Sequence, residues 1–358
     1  MFFSYLMIKK ICFFLGHYDP ARQVIMEYYE KIFPKDVEIF IVCAKKFDKE
    51  RYHLKRTKIF EFLDPKMIVP FKLRKFLKEN NIDLVINLTG EAEVAMALLI
   101  STIFSRTKNI FYFLGNPKDN LKLSVFLFFQ FFTASILSVC KEVADKFKRL
   151  LFFKRKDIFY VPYPINIHIF KPLNKKLMRK KFGFKENDKV LIYVGRIHFS
   201  QGSDYLYDLV KKNPEKKFIL IGELKDNNFK NRKFENVTHI PFVSNKELPN
   251  YYNLADLSLF FSRRNSYPYP PRESLACEVP VILFNLNTFG QLKTNAVKKV
   301  PFDVEKIQEE INHFFSLSKK EKEKMGKEGR RFIIEDSSEE KIKEKTLKYF
   351  LIFDKKKK

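Results

Sequence analysis

Short apolar runs that lack polar alternation recur along this chain, each followed by a stretch with helical periodicity. The clearest is Asp83–Leu88, where Leu84, Val85, Ile86 and Leu88 follow one another around a single Asn. A strand with apolar residues on both faces must be covered on both sides, which is the signature of a parallel sheet flanked by helices. Lys10–Leu15, Val37–Cys43 and Asn109–Leu114 read as further strands, and Ala21–Ile32, Phe71–Asn80 and about 91–104 as helices. After residue 175 the rhythm restarts, with strands at Lys189–Val194, Phe218–Gly222, Val237–Ile240, Leu257–Phe261 and Val279–Phe284. The helices between them are read at Ser203–Asn213, Lys246–Leu254 and Pro271–Cys277.

Two series of βα units define an α/β protein of two doubly wound parallel-sheet domains. The length of 358 residues is ample for two cores. The polar stretch Lys171–Asp188 is the natural linker, giving domains at residues 1–172 and 173–338, with a helix and Lys tail at 339–358 that can pack back on the first domain. Two such domains in tandem are expected to open a cleft at the carboxyl ends of their strands, where α/β folds bind ligands.

Composition removes several function classes. The four Cys, at positions 12, 43, 140 and 277, have no CxxC or zinc spacing, and the six His form no metal motif. They read as buried free thiols in a reducing compartment, and no metal site is expected. Neither GxGxxG nor GxxxxGK[ST] is present, so dinucleotide and P-loop binding lose their sequence support. Met1–Gly16 is interrupted by Lys9 and Lys10 and lacks a cleavage site, so it reads as a first core strand rather than a signal peptide.

The net charge is +26, and residues 1–175 and 176–358 carry +13 each. Such a balance calls for an anionic partner: nucleic acid, acidic lipid or a phosphorylated substrate. An even spread and the absence of RNP, helix-turn-helix or zinc signatures argue against nucleic acid. Leu123–Cys140 is a run of eighteen uncharged residues, the lower limit for a membrane span. Its polar residues Gln130, Thr133 and Ser135 favour a helix at about 121–132 followed by a strand at about 134–140. Residues 101–175 hold 13 basic and 4 acidic groups, which suits peripheral contact with an anionic membrane.

Candidate ligand-binding residues lie at strand ends. Val194-Gly195-Arg196 ends the first strand of the second half; Gly195 permits close backbone approach and Arg196 offers a planar cation suited to a diphosphate. Tyr267-Pro-Tyr-Pro-Pro271 is a stiff lead into a helix whose first turn would hold Glu273 and whose free amides suit an anion.

These motifs resemble glycosyltransferase family 4 (glycosyltransferase group 1). The match runs from Val194-Gly195-Arg196 and Gly202 through Glu247-Leu248, Tyr252 and Ala255-Asp256 to Ser262, Glu273-Ser-Leu-Ala-Cys277 and Pro280-Val-Ile282. Val161-Pro-Tyr-Pro-Ile-Asn166 has the spacing of the family's hinge segment. The resemblance implies the GT-B fold, two Rossmann-like domains facing across a cleft. It implies a retaining, metal-independent enzyme with no cofactor, moving a hexose from a UDP- or GDP-sugar to a glycan or lipid-linked acceptor. Arg196 and Gly195 would meet the donor diphosphate, Glu273 the ribose hydroxyls, the amides of Ser274 and Leu275 the phosphates, and Gly16 both donor and acceptor.

The chain departs from that pattern at four places. Asn265 stands where the first acid of a Glu-x7-Glu pair is expected, and Gln201 where a phosphate-binding Lys is expected. Glu278 replaces a Gly before Pro280. The first-domain His falls at Gly115 or Asn116, leaving His17 as the candidate to stand in for it. Arg263, Arg264 or Arg272 could replace the missing lysine charge. The alternative reading is a non-catalytic GT-B protein that binds a nucleotide-sugar or a partner enzyme; a nucleic-acid binder comes third. The expected location is the cytoplasm, at the inner face of the cell membrane.

Overall fold

The computed structural model describes residues 8–16, 20–43, 54–62, 68–88, 92–113, 135–150, 158–263, 269–286 and 289–355. The chain divides into two compact units, Met1–Pro164 together with Ile342–Lys358, and Ile165–Lys341.

In the first unit, β1 (Lys10–Leu15), β2 (Glu38–Cys43), β3 (Thr57–Glu61), β4 (Leu84–Asn87), β5 (Lys108–Phe113), β6 (Ser135–Ser138) and β7 (Ile158–Tyr160) form one sheet. Its order is β3-β2-β1-β4-β5-β6-β7, and every neighbouring pair is parallel. The order reverses between β1 and β4, which is the switch point where open α/β sheets bind ligands. Strands β1 and β4 are apolar and buried because α1 (Pro20–Ile32), α2 (Val69–Glu79), α3 (Ala92–Thr102) and α4 (Lys141–Leu150) accompany the sheet. β3 was not anticipated: Thr-Lys-Ile-Phe-Glu alternates between exposed and half-buried positions, the pattern of an edge strand rather than of a covered one. The helix read at 121–132 lies outside the described residues; β6 falls within the strand read at 134–140. No helix among the described residues is long and apolar enough to cross a membrane.

The second unit has β8 (Val190–Val194), β9 (Lys217–Ile221), β10 (Val237–Ile240), β11 (Leu257–Phe260), β12 (Val281–Phe284) and β13 (Val297–Val300), in the order β10-β9-β8-β11-β12-β13 and again all parallel. Its switch point lies between β8 and β11. Its helices are α5 (Lys175–Lys181), α6 (Ser203–Lys212), α7 (Asn227–Lys230), α8 (Leu248–Leu254), α9 (Tyr269–Ala276), α10 (Val304–Ser316) and α11 (Lys319–Ser337); the last helix, α12 (Glu339–Lys355), belongs from Ile342 on to the first unit. Both units are therefore Rossmann-like doubly wound domains.

The stretch read as a linker, Lys171–Asp188, is instead part of the second unit and contains α5. Arg179 is the reason: it is 4% exposed, donates from Nε to the Leu254 carbonyl at 3.0 Å, and pairs with Asp256 at 2.8 Å. Asp256 also accepts from the Val190 amide at 2.9 Å, so the segment is tied to the starts of β8 and β11. One buried arginine in a lysine-rich helix carries no signal in composition. The chain crosses between units at Pro164–Ile165, within the segment read as a hinge.

Candidate functional site

At the carboxyl end of β8, Gly195 and Gly222 let two strand ends approach more closely than side chains would allow. Gly195 has φ +148° and Gly222 φ +139°, and a Cβ on Gly222 would stand 2.2 Å from the Gly195 carbonyl oxygen. The backbone pairing continues past the strand, with the Gly195 amide donating to Ile221 and the Ile197 amide to Glu223, both at 2.9 Å. Arg196 is thus held on a fixed backbone with its side chain exposed. No ion pair or side-chain hydrogen bond engages its guanidinium among the described residues.

Tyr193 organises this loop and was not singled out from the sequence. Its hydroxyl lies 3.1 Å from the Arg196 carbonyl and 3.2 Å from the Gln201 carbonyl, and it donates into this pair of acceptors. Burial pushes its phenol pKa well up, so it stays a donor. Gln201 ends a short 3₁₀ turn, Phe199–Gln201, and is half-buried. Gly202 then caps α6 at φ +76°, where a Cβ would stand 2.4 Å from the Phe261 carbonyl oxygen. That contact, with the hydrogen bond from the Arg263 amide to the Ser200 carbonyl at 3.1 Å, seats the loop on the carboxyl end of β11 at the switch point.

The arginines near this point are already committed or lie elsewhere. Arg263 makes a two-pronged contact with Asp204 at 2.8 and 2.6 Å. It is stacked against Phe199 and Tyr205, at 4.3 and 4.8 Å from the ring centroids. Asp204 neutralises it, so Arg263 does not supply the charge that Gln201 lacks. Arg272 is fully buried within α9, and Arg264 lies outside the described residues.

The helix carrying Glu273 corrects the sequence reading. α9 begins at Tyr269, two residues earlier than expected, so Glu273 lies in the second turn and gains little from the helix dipole. Ser274 and Leu275 are its sixth and seventh residues, beyond the first four amides that a helix leaves free. Pro270 and Pro271 remove two of those four donors, which weakens this helix end as an anion site. Ser274 is fully buried, and its hydroxyl donates to the Val279 carbonyl at 2.9 Å.

Glu273 is 7% exposed and accepts from the Tyr252 hydroxyl at 3.1 Å. Burial pushes its carboxyl pKa up from 4.5 to about 7, partly offset by the Tyr252 hydrogen bond. Tyr252, on α8, is raised well above 10 by its own burial and by the neighbouring Glu273. Its hydroxyl also lies 3.2 Å from the Pro270 carbonyl. The pairing joins residues 21 apart in sequence, and no local motif announces it.

Behind α9, α11 packs closely through Gly326 and Gly329. A Cβ at Gly326 would stand 2.3 Å from the Glu278 carbonyl oxygen. Glu278 follows α9 with φ +63°, a left-handed conformation that explains why the related pattern has Gly here.

In the first unit, Gly16 is buried at the carboxyl end of β1, beside the switch point. Asn87 ends the adjacent β4, is 1% exposed, and finds no hydrogen-bond partner for either amide atom among the described residues. Arg22 donates from Nε to the Leu88 carbonyl at 3.0 Å, closing the base of this corner. The sequence reading missed Asn87, whose isolation shows only once the strand is placed. Asn265 and His17 lie outside the described residues.

Two doubly wound domains in tandem, the second with a glycine-lined switch point and an open arginine, define the class of GT-B proteins. Across the whole fold, the chain is similar to an Anabaena protein, Alr3699/HepE, crystallised with UDP and glucose. That likeness has a TM-score of 0.77 at 13% identity and covers 96% of this chain and 100% of the other. Residues 174–332 match the family model for glycosyl transferases group 1. An uncharacterised 41.2 kDa protein from the cps region of Klebsiella pneumoniae is 35% identical over 104 residues, 28% of this chain and 29% of the relative. The mannosylfructose-phosphate synthase of Agrobacterium fabrum is 28% identical over 181 residues, 43% of this chain and 39% of the relative. The chain therefore spans less than half the length of these curated relatives.

Proposed function

We propose that this protein is a retaining glycosyltransferase that moves a hexose from a UDP- or GDP-sugar to a glycan or lipid-linked acceptor without a metal. The observation that carries this reading is the exposed Arg196 guanidinium, on a backbone held by Tyr193 and two glycines at the switch point of the unit that matches the group 1 family model. As the bond from the anomeric carbon to the donor diphosphate breaks, negative charge grows on the leaving phosphate, and Arg196 would be the cation that meets it. Glu273 would accept from the ribose hydroxyls. A carboxyl buried with one phenol donor gains most from such added donors when ionised. Asn265 would hold a hydroxyl of the sugar, and His17 would act on the acceptor side. Gly16 leaves room for the acceptor, and Asn87 offers it an unsatisfied amide.

Supporting a reading as a nucleotide-sugar binder that does not transfer are Gln201 without charge, Arg263 neutralised by Asp204, and two prolines at the start of α9. The substitutions Gln201→Lys and Asn265→Glu separate the two: a gain of transfer from a silent protein favours the binder. Calorimetric titration with UDP, GDP, ADP and their sugars tests the donor site. One base is expected to bind selectively, with Arg196→Ala and Glu273→Ala each weakening it at least tenfold, in line with about 1.5–3 kcal/mol for a charge-assisted hydrogen bond. No binding by any nucleotide would overturn the reading.

A further inference from the structure

Where the start of α2 meets the end of α3, the first unit exposes large apolar side chains that fold alone does not require. Phe104 is 92% exposed and Phe71 70% exposed, with Ile68 at 45% and Ile100 at 41%. The two helix ends are joined by a hydrogen bond from the Ser101 hydroxyl to the Pro70 carbonyl at 2.9 Å. Each of the four side chains lies within one turn of an end of that bond.

Phe104 is the most telling. It stands just past the end of α3 with φ +53°, a left-handed position that ordinarily takes Gly. A bulky aromatic ring there raises the backbone energy and leaves its apolar surface in water. Such an outlier points to a use outside the fold.

Charge surrounds these side chains. Residues 68–82 and 98–108 contain Lys72, Arg74, Lys75, Lys78, Arg106 and Lys108 against a single acid, Glu79, which pairs with Lys75 at 3.8 Å. On α2 the residues Leu73, Phe76 and Leu77 are buried, so the basic side chains belong to its outer face. Protruding Phe and Ile within a basic ring match the two halves of a bilayer interface, apolar chains below and anionic headgroups above.

We propose that this α2–α3 corner is a docking surface for an anionic lipid bilayer, into which Phe71 and Phe104 insert. The proposal deepens, and rests on, the reading of the acceptor as membrane-linked: a transferase held on the lipid surface meets its acceptor by diffusion in two dimensions.

The test is flotation of the full-length protein with unilamellar vesicles of phosphatidylcholine alone or mixed with phosphatidylglycerol, at low and high salt. Binding is expected on the mixed vesicles and is expected to weaken with salt. The pair Phe71→Ser with Phe104→Gly should lower the bound fraction at least tenfold; glycine suits the backbone at 104, so the fold is preserved. Separately, Arg74→Glu with Lys78→Glu should abolish the preference for phosphatidylglycerol. Failure of the native protein to float, or equal flotation of either variant pair, would overturn the surface. Nucleotide titration of the same variants is expected to match the native protein, so a failed donor site and a failed docking surface are told apart.

Discussion

Replacing Glu273 by Gln tests the buried carboxyl without disturbing its shape. The glutamine amide keeps the size and an oxygen for the Tyr252 hydroxyl, but it cannot ionise. In the folded protein the carboxyl is pushed up to about 7 from 4.5 by burial. A raised carboxyl pKa means that the folded state holds the proton longer than the unfolded chain. Its contribution is fully present below about pH 4.5 and is lost as pH rises through about 7. A shift of this size corresponds to about 3 kcal/mol. Because the glutamine variant shares every other titration, its stability relative to the native protein should rise by about 3 kcal/mol between pH 4.5 and pH 8. In scanning calorimetry this appears as a divergence of the two Tm curves by roughly 6–12 °C in the transition of the second unit. Parallel curves across that range would refute the account of Glu273 as a desolvated acid. The same argument gives nucleotide binding a proton signature: hydroxyl donors favour the carboxylate, so binding near pH 6 should release a proton, read from titrations in buffers of different ionisation heat.

Other substitutions probe the backbone and the first unit. Glu278→Gly relieves the left-handed residue after α9 and should stabilise the protein by about 1 kcal/mol in thermal unfolding. Gly202→Ala drives a methyl group into the Phe261 carbonyl and should cost about 2 kcal/mol or more, with loss of nucleotide binding, because the loop holding Arg196 moves. Asn87→Leu removes two unsatisfied buried atoms and should raise stability by about 1 kcal/mol, while sugar transfer into lipid extract falls and donor affinity in calorimetry is unchanged.

The parallel strands were legible because burial on both faces leaves runs such as Leu84–Ile86 that no exposed element needs. β3, β7 and β13 were not, since all three lie on sheet edges: Thr57–Glu61 and Val297–Val300 carry polar residues, and Ile158–Tyr160 is only three residues long. Lys175–Lys181 looked like a solvated connection because its one structural residue, Arg179, is chemically indistinguishable in sequence from its neighbours. Gly195 and Arg196 were found from their place after a strand, and Gln201 from the family resemblance. Their actual support is Tyr193, whose role depends on where its ring is buried. The start of α9 was misplaced because Pro271 was read as the first helical residue, whereas Tyr269 and Pro270 precede it within the helix. Tyr252 and Glu273 are brought together only by the packing of α8 against α9, which neither segment encodes alone.

The last helix has a consequence for how the chain acquires its form during synthesis. Phe350 is 1% exposed and stacks edge-on against Phe33 at 5.2 Å, while Tyr349 meets Phe159 at 4.8 Å. These partners leave the ribosome far ahead of the residues that cover them. The second unit is one uninterrupted segment, Ile165–Lys341, and has every residue it needs once the first three residues of α12 are translated. The half that emerges first is therefore finished last, and cutting the chain near residue 341 would strand Phe33 and Phe159 while leaving the later-made half whole.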